Sequence, residues 1–410
     1  MFRRRDLLKL GAAASVGWMG ARSARAASPS DPRLVIVFAY GGWDPTYLFD
    51  PKPGSSLVDT PDGEVVEYGA LPLWRPSGGN RTDVHDFLTA YADRMAVVNG
   101  VAVNSLVHET CAQKVLTGSV GLAHPPDLGA RVADALGRDL PLPYLRTGAG
   151  ARPQSLAAQS GVLGYSNQLA SLVVPDFAYP SATVPYRPDA AASDAVSQYL
   201  DVAHSRFAKA RPGDVQTVQD WRTSLDRAAA IRQHADQGGF LADPEGLYQT
   251  DPFEKAAAAL AEGFSRAVFV QDDGYWDTHS ANRLQRPLFH DLFAGLDRLM
   301  TALQTAGEAD RTVVLVISEM GRSPLLNRLE GKDHWPFTSA MLIGPGVRST
   351  LVDGSDEGLQ QRPVDLKTGR PDAAGRALQA EDVLATTASL MGLDASALYP
   401  KAEVIRAVVA

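Results

Sequence analysis

Acidic and histidine side chains recur beside short apolar runs in this sequence, at positions where they could bind a metal ion. They stand in five places: Gly41-Gly42-Trp43-Asp44, His108-Glu109-Thr110, Asp277-Thr278-His279, Ser318-Glu319-Met320-Gly321-Arg322 and Asp333-His334-Trp335. Carboxylates and neutral imidazoles are ligands for zinc, manganese or magnesium, and a two-metal site that clamps a phosphoryl-like group needs about this many of them. If the five segments converge, the sequence predicts a hydrolytic metal site.

Each segment taken alone also has a structural explanation. Asp44 follows a glycine pair, where an aspartate is commonly a turn or cap residue. Asp277 and His279 could be two loop residues that bind no ligand. Glu319 and Arg322 could form a local ion pair, and His334 could be a histidine whose ring is hydrogen-bonded within the protein. The metal hypothesis therefore depends on several segments meeting at one place.

The apolar runs next to these residues predict strands. Arg33 to Tyr40 is a nearly continuous apolar run closed by two glycines, which predicts a central parallel strand buried on both faces. Similar runs at 95–99, 267–271, 312–317 and 339–343 alternate with helical patterns at 107–116, 214–237, 252–264, 287–306 and 380–391. This alternation predicts an α/β fold, a mainly parallel central sheet with helices on both faces. Ligands of such folds bind outside the carboxyl ends of the strands, which is where most of the candidate residues lie.

Two stretches rich in proline, glycine and serine lie between these elements, at about 50–80 and 148–188. Because they show little periodicity, we expect long surface loop insertions within a single domain that spans 33–400.

Residues 1–26 have the pattern of an export signal. Arg4-Arg5-Asp6-Leu7-Leu8-Lys9 fits the twin-arginine pattern, an apolar stretch follows, and Ala24-Arg25-Ala26 is a small-x-small cleavage site. We expect a twin-arginine signal peptide, the twin-arginine export machinery as a partner, and a periplasmic or secreted mature protein. A basic amphipathic surface helix is the alternative, but the Gly-Ala-rich stretch has no polar face.

The composition limits the kind of protein and the kind of site. The chain has 410 residues, of which 45% are hydrophobic and 21% charged, and this excludes a collagenous, coiled-coil or wholly disordered protein. Without 1–26 it carries 33 basic and 46 acidic residues, a net charge of -13 that argues against nucleic acid as a partner. No apolar run is long enough for an internal membrane span. With Cys111 as the single cysteine, a metal must be bound by oxygen and imidazole.

Four of these segments, together with a later Gly344-Pro345-Gly346 turn, resemble the alkaline phosphatase superfamily, and most closely its exported, sulfatase-like branch, the domain of unknown function 1501 family. The resemblance covers about Leu34 to Leu393 and keeps the family's order of blocks: G-G-x-D, G-W-D-T-H, S-E-F-G-R, G-x-D-H-G/W and a final G-P-G turn. Here the blocks are Gly41–Asp44, Tyr275–His279, Ser318–Arg322, Gly331–Pro336 and Gly344–Gly346. The resemblance implies a sulfatase-like α/β domain.

The resemblance also implies a divalent metal site with one or two ions, zinc first, with manganese, magnesium or calcium as alternatives. It assigns Asp44 and Glu319 to one metal, and Asp277, His279 and His334 to the other. These assignments are carried over from the family's blocks, residue by residue.

Two departures from the family's pattern affect the metals. The Asp and His of the pair are usually four residues apart and here only two, so Asp272 or Asp273 is an alternative ligand. Glu319-Met320 stands where an Asp-His step is expected, which removes one imidazole from the second metal. That metal should bind weakly or not at all.

The nucleophile is the largest departure. The superfamily places a Ser, a Thr or a modified Cys at a helix start, and alignment on Leu116-Thr117-Gly118 puts His108 at that position. Residues 108–111 lack the Pro and Arg that formylglycine conversion needs, which argues against ordinary sulfatase activity. Three alternatives stay open: His108 as a metal ligand, a general base or a covalent nucleophile, Thr110 displaced into the nucleophile's role, or no covalent transfer at all. A structural cap is the plain alternative for His108, and Arg322 is the remaining catalytic candidate.

Two functions are compatible with this sequence. The first is an exported metal-dependent hydrolase of phosphate, sulfate or related anionic esters, acting on a small anionic ester or on a sulfated or phosphorylated glycan. The second is a catalytically degenerate sulfatase-like protein that binds a glycan or a cell-envelope partner. The missing nucleophile favours the second function, and the retained acidic and histidine positions favour the first. A redox enzyme is disfavoured because the sequence has neither a Gly-rich dinucleotide fingerprint nor a cysteine cluster.

Overall fold

A computed structural model of the chain describes residues 31–79, 82–120, 125–163, 168–173, 190–210, 215–242 and 251–410. The expected signal peptide at 1–26 lies outside the described residues. No helix in the described part of the chain is both long enough and apolar enough to cross a membrane.

A mainly parallel sheet forms the centre of the described structure. The strands are β1 (Arg33–Ala39), β2 (Gly63–Tyr68), β3 (Leu71–Pro76), β4 (Met95–Ala102), β5 (Tyr144–Thr147), β6 (Ser160–Leu163), β7 (Ala267–Asp272), β8 (Thr312–Ile317), β9 (Gly321–Arg322), β10 (His334–Trp335), β11 (Phe337–Ile343) and β12 (Thr350–Val352). Among the described residues, eight of them form one sheet in the order β12-β4-β11-β8-β1-β7-β5-β6. Only β11 runs antiparallel to both of its neighbours in this sheet. The predicted α/β architecture is confirmed.

Helices cover both faces of the sheet. They are α1 (Thr82–Tyr91), α2 (His108–Thr117), α3 (Leu128–Leu136), α4 (Gln168–Val173), α5 (Ala190–Ala210), α6 (Val215–Asp236), α7 (Pro252–Ala261), α8 (Gln285–Thr305), α9 (Ala380–Leu390) and α10 (Ala395–Leu398). Helices α1, α7 and α8 contribute to the core on one face, and α2, α3 and α9 to the core on the other.

Strand β1 is central and buried on both faces, as its apolar run predicts. It pairs in parallel with β7 on one side and with β8 on the other. Leu34, Ile36 and Phe38 pack into one core, while Val35 and Val37 pack into the other. A strand with both faces covered needs apolar side chains at successive positions, which explains the absence of polar alternation in its sequence.

The two stretches expected to be loop insertions contain regular structure. Strands β2 and β3 form an antiparallel hairpin within 50–80, turned at Gly69, whose φ is +62°. The side chains of Leu71 and Leu73 are buried in the core, so the hairpin packs against the domain. Strand β6 and helix α4 lie within the second stretch, and most of the rest of it is outside the described residues.

Candidate metal centre

Three of the residues expected at the site form a compact cluster beside the sheet. His108 is the first residue of α2, Asp277 lies in the loop after β7, and His334 is in β10. One ligand atom from each lies within 4.8 Å of the other two. His108 Nε2 is 3.5 Å from Asp277 Oδ2, and His334 Nε2 is 3.3 Å from Asp277 Oδ1.

His279 adds a third imidazole next to this cluster. Its Nε2 lies 3.2 Å from Asp277 Oδ1 and 2.9 Å from His334 Nε2. For zinc bonds of about 2.0–2.1 Å, the ligand atoms of a tetrahedral site are about 3.3 Å apart. The distances from the three Nε2 atoms to Asp277 and the distance between the Nε2 atoms of His279 and His334, between 2.9 and 3.5 Å, are close to this value.

Hydrogen bonds at Nδ1 determine which nitrogen of two of these imidazoles carries a proton. His334 Nδ1 is 2.7 Å from the carbonyl oxygen of Leu106, and His279 Nδ1 is 3.1 Å from Asp333 Oδ1. Both partners are acceptors, so in the neutral rings Nδ1 donates and Nε2 keeps its lone pair. Two lone pairs at 2.9 Å repel each other unless a cation or a proton lies between them, and a divalent metal satisfies both.

His108 is oriented in the same way by a carboxylate. Its Nδ1 lies 2.7 Å from Glu319 Oε1, and its Nε2 faces Asp277. Glu319 is fully buried and also accepts the Gly41 amide N–H at 2.8 Å, which holds the carboxylate in place. The hydrogen bond with Glu319 raises the pKa of His108 above its usual value, although desolvation opposes it. Glu319, expected as a metal ligand, lies instead behind His108, where it aligns the ring.

Arg322 holds the Asp277 carboxylate. Its side chain is fully buried: Nε donates to the Gly42 carbonyl at 2.8 Å, Nη1 to the Lys332 carbonyl at 3.1 Å, and Nη2 to Asp277 Oδ1 and to the Gly41 carbonyl. Desolvation works to raise the pKa of Asp277, but the hydrogen bond and charge of Arg322 outweigh it and the pKa is lowered. With its nitrogens engaged in this way, Arg322 fits a positioning role better than the expected direct catalytic role.

Asp44, expected to bind a metal with Glu319, is engaged elsewhere. Its carboxylate is fully buried, accepts from Thr46 and from Asn282 Nδ2, and forms an ion pair at 2.9 Å with the buried ammonium of Lys332. It also caps a short 3-10 helix that begins at Pro45, as its alternative explanation predicts. Because its oxygens are used by these donors, Asp44 does not join the cluster. Asp44 pairs with Lys332 and Glu319 with His108, so the two carboxylates have separate partners in this structure, and their assignment to one metal stays a prediction.

The remaining candidates also lie apart from the cluster. Thr110 is on α2, two residues after His108, and forms no hydrogen bond with the cluster in the described structure. Asp272, the alternative ligand, accepts a hydrogen bond from Trp276 Nε1 at 2.5 Å, and burial raises its pKa to about 6. Burial likewise raises the pKa of the Cys111 thiol to about 11, so this cysteine is a poor nucleophile.

Several residues that complete the site escaped the sequence analysis. The roles of Lys332 and Asp333 could have been suspected, because both belong to the block that contains His334. The carbonyl of Leu106 and the side chain of Asn282 carry no signal, since a backbone acceptor or a lone amide is common everywhere in a sequence.

Gly41 explains how the first strand and the Asp277 loop come so close. Its φ is +127°, and a Cβ at this position would lie 2.7 Å from the Asp277 backbone nitrogen. A glycine is therefore needed here for two reasons, its backbone angle and the lack of space. Its N–H donates to Glu319 and its carbonyl accepts from Arg322. One residue therefore aligns the two side chains that hold His108 and Asp277.

Comparisons with known proteins give a family match and several similar solved structures. No curated protein matches the chain. Solved structures that match include a 2-O GAG sulfatase, with a TM-score of 0.41 and 10% identity over 90% of this chain and 75% of that one. An alkaline phosphatase superfamily protein from Vibrio parahaemolyticus has a TM-score of 0.37 and 9% identity over 88% and 67% of the two chains. The lipoteichoic acid synthase LtaP from Listeria monocytogenes has a TM-score of 0.39 and 9% identity over 90% and 74%.

The family comparison covers nearly all of the described structure. The model of a family described as a protein of unknown function, DUF1501, matches residues 31–404, from just before β1 to beyond α10. The four cluster residues, and Glu319 and Arg322 that hold them, all lie within this match. The chain therefore belongs to the DUF1501 family.

Proposed function

We propose that this protein is a metal-dependent hydrolase of phosphate, sulfate or related anionic esters. The observation that carries the proposal is the convergence of His108 and His334 on Asp277, with His279 beside them. Each Nδ1 is held by an acceptor and each Nε2 lies within 3.5 Å of an Asp277 oxygen. A purely structural cluster would have no need for three imidazoles aligned in this way.

The donor set favours zinc over the other ions considered. Three imidazole nitrogens and one carboxylate suit zinc, whereas magnesium and calcium prefer oxygen ligands throughout. The separate Asp44–Lys332 ion pair supports one metal ion rather than two, because the ammonium already balances that carboxylate. Bound there, zinc would polarise the ester and lower the pKa of water.

The chain's own residues supply orientation and charge balance in this proposal. Arg322 keeps Asp277 in its charged form, and Glu319 keeps the Nε2 of His108 directed at the same point. Among the described residues, no Ser, Thr or Cys side chain forms a hydrogen bond with the cluster. Water is therefore the attacking group that the site supports best, and a covalent intermediate on the protein is not required.

A second candidate function is a degenerate protein that keeps the metal as a structural element and binds a glycan or a cell-envelope partner. Two observations favour it: the ammonium of Lys332 already pairs with Asp44, where a second metal would bind, and the first residue of α2 is His108 rather than a Ser, Thr or Cys. This candidate predicts bound metal without turnover.

Metal content and turnover together test both candidates. Wild type and His334→Ala are compared for bound zinc and for hydrolysis of a panel of phosphate and sulfate monoesters and diesters, with His85→Ala as the control histidine. His85 lies on α1 and contacts Tyr68, away from the cluster. A hydrolase loses metal and turnover together in His334→Ala but not in His85→Ala. Metal without turnover in wild type supports the degenerate protein, and a wild type that binds no metal contradicts both.

Export belongs to the proposal and has its own test. We propose that 1–26 directs the folded protein through the twin-arginine machinery to the periplasm or the medium, on the basis of Arg4 and Arg5 in the signal pattern. Replacing both arginines by lysine should leave an unprocessed cytoplasmic precursor. Unchanged processing of this variant would show that export does not depend on the arginine pair.

A further inference from the structure

Lys332 carries a positive charge into the interior of the domain. Its side chain and that of Asp44 are both fully buried. The ammonium nitrogen lies 2.9 Å from Asp44 Oδ2 and 3.3 Å from Thr46 Oγ1. A lysine is rarely buried without a counter-charge, and oxygen atoms such as these are also the ligands that small divalent cations prefer. The ammonium therefore contacts the kind of atoms that a bound metal ion would contact.

The partners of Asp44 extend to the segment that carries two of the cluster residues. Asn282 Nδ2 donates to Asp44 Oδ2 at 2.7 Å, and Asn282 Oδ1 accepts from Thr278 Oγ1 at 2.9 Å. Thr278 stands between Asp277 and His279 in the sequence. A path of hydrogen bonds therefore runs from the Asp44 carboxylate to the residue that connects these two.

The main chain of Lys332 contacts the same segment, residues 277–279. Its N–H donates to the Thr278 carbonyl at 3.1 Å, and its own carbonyl accepts from Arg322 Nη1 at 3.1 Å. His334 follows two residues later in the sequence. Because its ammonium is tied to Asp44 and its peptide groups to Thr278 and Arg322, Lys332 joins the segment before β11 to the segment after β7. These two segments carry three of the four cluster residues.

A metal ion bound by Asp44 and Glu319, as the resemblance implies, would lie beside a like charge. The ammonium of Lys332 already pairs with Asp44, and because both groups are fully buried, no solvent screens the repulsion of a second cation. Glu319 is also engaged, since His108 Nδ1 lies 2.7 Å from Oε1 and the Gly41 N–H donates to the same oxygen at 2.8 Å. The donor set therefore suits a tethered ammonium better than a second ion.

We propose that Lys332 is a positioning residue and that its ammonium takes the place of a second metal ion in this protein. The ammonium balances the charge of Asp44, and the residue as a whole holds together the two segments that carry Asp277, His279 and His334. This inference deepens the proposed function and rests on it, because it explains how a site with one zinc ion keeps its ligands aligned.

Removal of the ammonium should turn its surroundings into a metal site. Without Lys332, the Asp44 carboxylate is buried with no counter-charge, which is costly in free energy, and the Thr46 hydroxyl remains beside it. Manganese and magnesium accept such oxygen ligands and take water at their remaining positions, whereas zinc suits the imidazoles of the cluster. A shortened side chain at position 332 also leaves room for the ion. One chain should then bind two ions of different kinds.

The experiment counts the manganese ions that the zinc-loaded protein binds, from the loss of the electron paramagnetic resonance signal of free Mn²⁺. Lys332→Ala should bind about one Mn²⁺ per chain, and wild type and the double variant Lys332→Ala with Asp44→Asn should bind none. The matched control is Lys114→Ala, because Lys114 is also buried and its ammonium pairs with Glu381 at 2.6 Å, on helices α2 and α9. It should bind no Mn²⁺. A folded Lys332→Ala without bound Mn²⁺, or binding that persists in the double variant, overturns the proposal.

A charge-neutral pair of substitutions tests the positioning role if Lys332→Ala does not fold. Lys332→Met combined with Asp44→Asn removes both charges at nearly constant volume, which buried ion pairs often tolerate. Because the two segments are then held less firmly, zinc should bind about 10-fold more weakly, and the visible absorption of Co²⁺ bound in place of zinc should change. An unchanged zinc Kd and an unchanged cobalt spectrum overturn the positioning role. A wild type that binds zinc without turnover contradicts the hydrolase alone, because neither the manganese count nor the zinc Kd depends on turnover.

Discussion

Glu319→Gln tests whether a buried carboxylate aligns the metal centre from behind His108. Glutamine has nearly the same shape and keeps an oxygen for the Nδ1–H at 2.7 Å, but it removes the charge that strengthens this hydrogen bond. Loss of such a supporting partner typically weakens metal binding by about 10- to 100-fold. We therefore expect weaker zinc binding in a protein that still folds.

The size of the effect can be stated as a stability increment. At a free zinc concentration of 100 times the wild-type Kd, the metal stabilises wild type by about 2.7 kcal/mol. The same zinc concentration should stabilise Glu319→Gln by only about 1.4 kcal/mol if binding is 10-fold weaker, or about 0.4 kcal/mol if it is 100-fold weaker. Thermal unfolding with and without zinc measures this increment, and calorimetric titration measures the Kd directly.

Glu308→Gln is the matched control, because Glu308 is also buried and lies just before the other end of the same strand. Its carboxylate pairs with Arg33 at 2.9 Å, far along β8 from the cluster. This variant should lose stability without metal and keep the full wild-type increment with zinc. A full increment in Glu319→Gln, or an equal loss in both variants, would refute the aligning role.

Three further substitutions probe the supports of the site. Lys332→Met leaves the Asp44 carboxylate buried without its cation and should lower the free energy of unfolding by about 3–5 kcal/mol in urea titration, so wild-type stability would argue against the ion pair. Gly41→Ala places a Cβ 2.7 Å from the Asp277 backbone nitrogen and should reduce bound zinc, and a folded variant with full zinc content would contradict this. The pKa of Asp272 is raised to about 6, so the folded state binds a proton that the unfolded state has released between about pH 4 and 6. As the pH rises from about 4 to 6, the free energy of unfolding should therefore fall by at most about 3 kcal/mol, and Asp272→Asn should remove this pH dependence in denaturation measured at each pH. The same pH profile in wild type and Asp272→Asn would refute the prediction.

Strand prediction from the sequence succeeded where the hydrophobic pattern was unambiguous. Arg33 to Tyr40 has no polar alternation, and the structure places β1 between β7 and β8 with both faces covered. The hairpin of β2 and β3 was not predicted, because its charged and proline residues hide the alternation and its buried residues, Tyr68, Leu71, Leu73, Trp74 and Pro76, do not alternate strictly with exposed ones. The local hydrophobic pattern therefore identifies a strand only when the strand's residues are buried along its whole length.

The structure brings some of the expected site residues together and gives others different partners. His108, Asp277 and His334 do meet. His108 and Asp277 follow parallel strands, and His334 comes just before the antiparallel β11, so all three lie at the same edge of the sheet. Asp44 and Glu319 lie near that edge as well, but hydrogen bonds to Lys332 and His108 give them different surroundings.

The sequence alone determined the α/β class, the family's blocks and the side chains that could bind a metal. These properties follow from local periodicity and residue chemistry, which a linear chain displays directly. The tertiary structure alone decided that Glu319 supports His108 across 211 positions and that Arg322 reaches back 280 positions to the Gly42 carbonyl. A buried carboxylate takes whichever donor the packing brings nearest, because leaving it unpaired costs more free energy than any local preference can supply.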